Sequence, residues 1–139
     1  MTVIDEKKSY KCLVTGASRG IGKAIASRHH RAGLEVLGTA TGDEARYDEP
    51  YALLSFDFSS IDEIQRAAVA VGSMKFDVLV NNAGINIAGE FATYDFADLQ
   101  KMINVNLYST FLLSQAALPH MESQGYGRIL NLCSIWGVV

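Results

Sequence analysis

The feature that most constrains the fold is a glycine-rich turn between an apolar run and a helical pattern. Tyr10–Thr15 (YKCLVT) predicts a buried strand, and apolar residues recur at helical spacing over Gly20–Ala32. Residues 16–22 (GASRGIG) join the two. Such glycines permit a tight turn and let backbone amides approach a pyrophosphate at a helix N-terminus. The arrangement predicts a dinucleotide-binding turn, with an ordinary structural glycine turn as the alternative.

Short apolar runs alternate with helical patterns along the rest of the chain. Further strands are predicted at Leu34–Thr39, Tyr51–Phe56, Asp77–Asn81 and Arg128–Ser134, and helices at Ile61–Val71 and from Asp95 to about Glu122. Ser60 is an N-cap candidate, and Glu63 completes a capping box. Because the strands are apolar throughout, both faces of the sheet should be covered. The prediction is an α/β fold, a doubly wound parallel (Rossmann) sheet in three α/β/α layers.

Length and composition limit the possible classes of protein. The chain has 139 residues, of which 49% are hydrophobic, and this argues for one domain over residues 1–139 and against disorder. The apolar runs are too short for a membrane helix, and the charged N-terminus lacks a signal-peptide pattern. A net charge of −3 without a basic stripe gives no support for a nucleic-acid partner. We therefore expect a cytoplasmic protein that binds neither membranes nor nucleic acids.

Cysteines and histidines do not form a predicted metal site. Cys12 and Cys133 each lie in an apolar run, which predicts two buried thiols in a reducing compartment. His29, His30 and His120 are scattered, and adjacent histidines point to different sides of a helix. No metal is therefore expected.

Four motifs together resemble the short-chain dehydrogenase/reductase family. Thr15–Gly22 has the form T-G-x-x-x-G-x-G, and Asn81–Gly84 (NNAG) closes the fourth predicted strand. Asn106 stands in V-N-L, and Ser134 ends the fifth predicted strand, RILNLCS. The motifs are ordered and spaced as in that family, and the resemblance covers the whole chain. The resemblance also implies the strand order 3-2-1-4-5.

Within that family, the chain is most similar to the 3-oxoacyl-[acyl-carrier-protein] reductases of fatty acid biosynthesis. The similarity is carried by TGASRGIG, by GTAT at residues 38–41 and by NNAGI at residues 81–85. Many carbonyl reductases share such stretches. The resemblance implies an oxidoreductase that reduces a carbonyl to a hydroxyl, with a small-molecule or acyl-carrier-bound substrate.

The resemblance also assigns roles to individual residues. Ser134 would polarise the substrate carbonyl, and Asn106 would hold a water in a proton relay; the alternatives are a strand-end serine and a polar helix kink. Asp57 would bond the adenine amino group, unless it only caps a turn. Asn81 and Asn104 are assigned to structure. The residues expected to bind cofactor are Gly16, Ser18, Arg19, Gly20, Ile21, Gly22, Thr41, Asp57, Phe58, Asn82, Ala83 and Gly84.

The cofactor is predicted to be NADP(H). NAD-specific sites place an acidic residue after the second strand, but here that strand ends with Gly38–Gly42, and the first acid is Asp43, beyond the turn. Without a carboxylate there, a 2′-phosphate is not repelled, and Arg19 can pair with it while Thr41 offers a hydroxyl. Asp43 and Glu44 argue the other way, because a flexible loop could bring either one to the ribose.

The catalytic set of the family is incomplete in this sequence. Its Y-x-x-x-K motif should follow the serine by about a dozen residues, yet the sequence ends five residues after Ser134. Family members run to roughly 250 residues, the size of a large single domain. The sequence is thus expected to be part of a longer protein or a truncated form, with a short noncatalytic dinucleotide binder as the alternative. The 139-residue chain alone is predicted to be inactive.

Two features bear on partners and substrate. Family members often pair through the long helix, so a homodimer or homotetramer is expected. The apolar residues Met102, Val105, Phe111 and Leu112 would be divided between core and interface. Trp136 is expected either to shape a substrate pocket or to pack.

Overall fold

A computed structural model describes residues 9–42 and 48–134. The strands are β1 (Lys11–Val14), β2 (Glu35–Ala40), β3 (Ala52–Ser55), β4 (Val78–Asn81) and β5 (Arg128–Asn131). The helices are α1 (Gly20–Arg31), α2 (Ile61–Met74), α3 (Phe96–Ile103) and α4 (Ser109–Ser123). A short 3₁₀ turn covers Phe91–Thr93, and a π turn, Asn104–Tyr108, joins α3 to α4.

The strands form one parallel sheet in the order β3-β2-β1-β4-β5. This confirms the predicted strand order. In register, Leu13 of β1 lies between Leu37 and Leu79 of its neighbours. The glycine turn after β1 and the NNAG segment after β4 therefore meet at the carboxyl edge of the sheet, where open α/β sheets bind ligands.

Two hydrophobic cores lie on opposite faces of the sheet, because successive strand residues point to opposite sides. On one face, Leu13 and Leu79 pack with α2 and α4 residues such as Ile64 and Leu113. On the other, the β1 and β4 residues Cys12, Val14, Val78 and Val80 pack with Ala26 of α1. Helices thus cover both faces, and the doubly wound fold class is confirmed.

The predicted long helix is present over residues 96–123, but it is not regular. At the π turn the amide of Ser109 bonds the carbonyl of Asn104, five residues back.

At the start of α2, Ser60 Oγ accepts from the Glu63 amide at 3.5 Å, so the predicted cap is confirmed. Within the described residues, no helix is long and apolar enough to cross a membrane.

The connection from β2 to β3 covers residues 41–51. The described residues 41–42 and 48–51 on either side of the gap contain no helix. Asp43 and Glu44, named above as evidence against NADP(H), lie outside the described residues, as does Trp136. Tyr51, the residue immediately before β3, is buried.

One expectation about the cysteines is wrong. Cys12 is fully buried in β1, but Cys133 is exposed. The reason is topological: β5 is one of the two edge strands of the described sheet, and residues 130–134 are all exposed. An apolar run predicts burial only where a neighbouring element covers it.

Candidate functional site

The glycine turn closes tightly on the start of α1. Gly16 has φ +64°, in the left-handed region that favours glycine. A Cβ on Gly22 would lie 2.2 Å from the Gly16 carbonyl oxygen and 2.3 Å from Asn82 Nδ2. Arg19, the N-cap of α1, makes no side-chain capping bond. The first amides of α1 thus make no hydrogen bond to the Arg19 side chain. Backbone amides at a helix start can bind an anion when no side chain caps them.

The Thr15 hydroxyl ties the glycine turn to the NNAG segment. Its Oγ1 accepts from the amides of Asn82 and Ala83, both at 2.9 Å. The Asn82 side chain returns two bonds, from Nδ2 to the carbonyl oxygens of Thr15 (2.8 Å) and Gly16 (3.2 Å). Asn82 therefore holds the turn in place, and both hydrogens of its amide are used within the protein.

A cleft of about 400 Å³ opens between the glycine turn, the ends of β2 and β3, and the NNAG segment. Eleven of the twelve predicted cofactor-binding residues line it: Gly16, Ser18, Arg19, Ile21, Gly22, Thr41, Asp57, Phe58, Asn82, Ala83 and Gly84. The twelfth, Gly20, has φ +57° at the start of α1 and is not a lining residue.

Six residues that were not predicted to bind cofactor also line the cleft: Thr39, Ala40, Phe56, Ser59, Ile85 and Val105. Most adjoin predicted residues, so widening each motif by a residue or two finds them. Val105 adjoins Asn106 in the V-N-L motif and lies on the π turn.

Asp57 and Phe58 form the wall after β3. Asp57 is exposed, and its Oδ1 accepts from the Ser59 amide at 2.9 Å. The Phe58 ring is buried and stacks on Phe56, with centroids 6.4 Å apart. Asp57 thus stabilises a turn and also lines the cleft, and its bond to the adenine stays a prediction.

The two residues predicted to favour NADP(H) lie on the same cleft. Arg19 and Thr41 are both exposed, one at the start of α1 and one after β2. An exposed guanidinium and a hydroxyl on the same cleft can bind a phosphate monoester together. The segment that carries Asp43 and Glu44 lies outside the described residues.

The two predicted catalytic residues do not line this cleft. Asn106 lies in the π turn, and its side chain bonds the backbone of Ile85 twice. Ser134 is exposed, three residues beyond the end of β5. Both lie at the carboxyl edge of the sheet, and their chemical roles remain predictions.

Asparagine side chains also join the strands behind the cleft. Asn81 Nδ2 donates to Asn131 Oδ1 at 2.8 Å, across β4 and β5, and to Ser114 Oγ at 3.2 Å. Asn104 donates to the Ser59 carbonyl at 2.7 Å. These bonds agree with the structural role assigned to both residues. Across residues 9–42 and 48–134, no group of three His, Cys, Asp or Glu side chains could hold a metal ion.

The sheet and its edge cleft define a doubly wound α/β protein of the Rossmann type. A family profile described as short chain dehydrogenase matches residues 11–139. The chain belongs to that family.

Individual relatives give the same result. The 3-oxoacyl-[acyl-carrier-protein] reductase FabG of Aquifex aeolicus is 34% identical over 137 residues, covering 90% of this chain and 55% of that protein. The 2-dehydro-3-deoxy-D-gluconate 5-dehydrogenase of Bacillus subtilis is 31% identical, covering 92% and 54%. A crystal structure of a metagenomic short-chain oxidoreductase in complex with NADP is 34% identical, with TM-score 0.82, covering 92% and 62%. The chain spans about half the length of the curated relatives.

Proposed function

We propose that residues 1–139 form a single dinucleotide-binding domain of an NADPH-dependent oxidoreductase. The observation that carries the proposal is the cleft itself. It combines the glycine turn, the start of α1, which has no side-chain cap, the Arg19 guanidinium and the Thr41 hydroxyl. The fit to a dinucleotide rests on Gly16 and Gly22, where a side chain would fill the turn. The NADP named in the related metagenomic structure supports the same cofactor.

The proposed contacts follow the sequence predictions. Backbone amides of residues 18–22 hold the pyrophosphate, and Arg19 with Thr41 holds the 2′-phosphate. Asp57 and Phe58 flank the adenine, and Asn82 keeps the turn in shape. When bound, the dinucleotide supplies the hydride.

For the whole protein, we propose reduction of a carbonyl to a hydroxyl, with a 3-oxoacyl thioester as substrate. Ser134 donates a hydrogen bond to the substrate carbonyl, and Asn106 fixes the loop after the NNAG segment through its two bonds to Ile85. The Aquifex relative supports the thioester, whereas the Bacillus relative is named for a gluconate derivative. The 139 residues contain no Y-x-x-x-K sequence, so the chain alone should bind the dinucleotide without turnover. A noncatalytic dinucleotide binder is the second candidate.

We also propose that the whole protein is a homo-oligomer, a dimer or a tetramer. Leu107, Phe111 and Leu118 are 58%, 61% and 43% exposed along the π turn and α4. Their spacing of four and seven residues places them on one face of the helix. A large exposed apolar face typically marks an interface.

Calorimetric titration of the chain with NADPH and NADH tests the cofactor. We expect NADPH to bind about tenfold more tightly, and Arg19→Gln to remove most of this difference. Arg31→Gln is the matched control, because Arg31 is exposed at the far end of α1 and does not line the cleft. Equal affinity of both dinucleotides for the unmodified chain would contradict the NADP(H) assignment.

Turnover is tested by mixing the chain with NADPH and acetoacetyl-coenzyme A. No oxidation of NADPH is expected above the rate without protein. Oxidation at a normal enzymatic rate would show that this chain has another proton donor.

A further inference from the structure

Tyr51 reaches across the sheet to the glycine turn. Its hydroxyl donates to the Ala17 carbonyl at 3.0 Å, over a sequence separation of 34 residues. The side chain is buried, with 6% exposure. Burial is the main reason that the pKa of Tyr51 is raised, so the hydroxyl stays protonated and remains a donor.

The close approach depends on Gly38 of β2. A Cβ on Gly38 would lie 3.4 Å from the Tyr51 ring and 2.6 Å from Ala17 Cβ. A side chain at this position would therefore push Ala17 and its turn away from β2. The glycine makes room for the contact between β3 and the turn.

A second contact holds the same segment. Glu49 accepts an ion pair from Lys23 Nζ at 2.6 Å, and the Glu49 side chain is only 6% exposed. This hydrogen bond is the main reason that the pKa of Lys23 is raised. Residues 49–51 are thus attached both to α1 and to the turn that precedes it.

Ala17 is fixed from two sides. Its amide donates to the Thr39 carbonyl at 2.9 Å, and its carbonyl accepts from Tyr51. The peptide between Ala17 and Ser18 is planar and trans, so its C=O and N–H point in opposite directions. Holding the Ala17 oxygen against Tyr51 therefore turns the Ser18 amide away from Tyr51. Ser18 lines the cleft.

We propose that Tyr51 is a positioning residue for phosphate binding, because its bond to Ala17 orients the Ser18 amide toward the pyrophosphate. This inference rests on the proposed dinucleotide function. It extends the site to a residue outside the cleft and outside every motif noted above.

The test compares Tyr51→Phe with Tyr94→Phe in the 139-residue chain. Tyr94 also donates its hydroxyl to a backbone carbonyl, that of Ile87, and it does not line the cleft. We expect Tyr51→Phe to weaken NADPH binding about fivefold, because the Ala17 carbonyl loses its donor, while Tyr94→Phe leaves the affinity unchanged. Equal affinities in all three proteins, or equal losses in both variants, would overturn the proposal.

Hydrogen exchange of the free chain gives a readout that needs no ligand. Tyr51→Phe should accelerate exchange of the Ala17 amide, which donates to the Thr39 carbonyl, and Tyr94→Phe should not. If the unmodified chain fails to bind NADPH, the proposed function is wrong, and exchange still decides whether Tyr51 orders the turn. If Tyr51→Phe does not fold, Glu49→Gln loosens the same segment and should also accelerate exchange at Ala17; unchanged exchange would overturn the positioning role.

Discussion

Asn106 holds the backbone of Ile85 from both sides. Its Oδ1 accepts from the Ile85 amide at 2.9 Å, and its Nδ2 donates to the Ile85 carbonyl at 2.9 Å. The π turn of residues 104–108 carries this side chain, and such turns are frequent at functional sites. The loop after the NNAG segment is thereby fixed where it lines the cleft. The side-chain amide is used for this, so the structure gives Asn106 a loop-holding contact alongside its predicted relay role.

Asn106→Ala removes both bonds, so the loop at Ile85 should loosen and the free energy of unfolding should fall by about 1 kcal/mol. NADPH affinity should fall two- to fivefold, since Ile85 lines the cleft. Urea unfolding and calorimetric titration measure the two effects. Asn86→Ala, an exposed position in the same loop, is the control and should change neither. An unchanged NADPH affinity in Asn106→Ala would contradict the expected link between the loop and the cleft.

Local patterns in the sequence predicted the sheet well. Apolar runs located all five strands, and the family resemblance gave their order. The turn at Thr15–Gly22 and the NNAG segment were recognisable because both depend on short stretches of residue types. Their meeting in one cleft follows from parallel strands that end at the same edge.

The long-range contacts were not predictable in this way. Nothing near Tyr51 in the sequence indicates a bond to Ala17, and nothing near Asn106 indicates Ile85. Cys133 was expected to be buried because its run is apolar, but burial depends on the neighbours of β5. Such properties depend on tertiary packing, which a local pattern does not contain.

Two glycines on helices should respond oppositely to alanine. Gly22→Ala places a Cβ 2.2 Å from the Gly16 oxygen, so α1 must move; we expect a loss of about 3 kcal/mol and of NADPH binding. Gly72→Ala on α2 meets only the Ala116 oxygen at 3.6 Å and should stabilise by about 0.5–1 kcal/mol. Chemical denaturation of both variants measures this. A Gly22→Ala chain as stable as the unmodified one would refute the close packing of the turn.

The Thr15 hydroxyl is expected to be essential for the same turn. Thr15→Val leaves the amides of Asn82 and Ala83 without their acceptor, at a cost of about 2–3 kcal/mol. Thr15→Ser keeps the hydroxyl and should cost less than about 1 kcal/mol, chiefly for the lost methyl group. Thermal unfolding of the two variants separates the hydroxyl from the methyl, and a Thr15→Val chain as stable as the unmodified one would show that packing alone accounts for Thr15.

Cys12 should make the chain less stable at alkaline pH. Burial raises the pKa of its thiol from 9.0 to about 12, so the folded chain keeps a proton that the unfolded chain releases. The stabilisation is fully present below pH 9.0 and is lost as the pH rises toward about 12. Urea unfolding between these limits should therefore show a steeper decline in the unmodified chain than in Cys12→Ala, which removes the titrating group.

The two thiols also provide a direct check of the same burial. In the folded chain at pH 8, a thiol reagent should label the exposed Cys133 readily and the buried Cys12 only after denaturant is added. Cys133→Ser is the control, because labelling of the native chain should then disappear. Fast labelling of native Cys133→Ser would mean that β1 opens locally, and the alkaline decline could no longer be assigned to a buried thiol at Cys12.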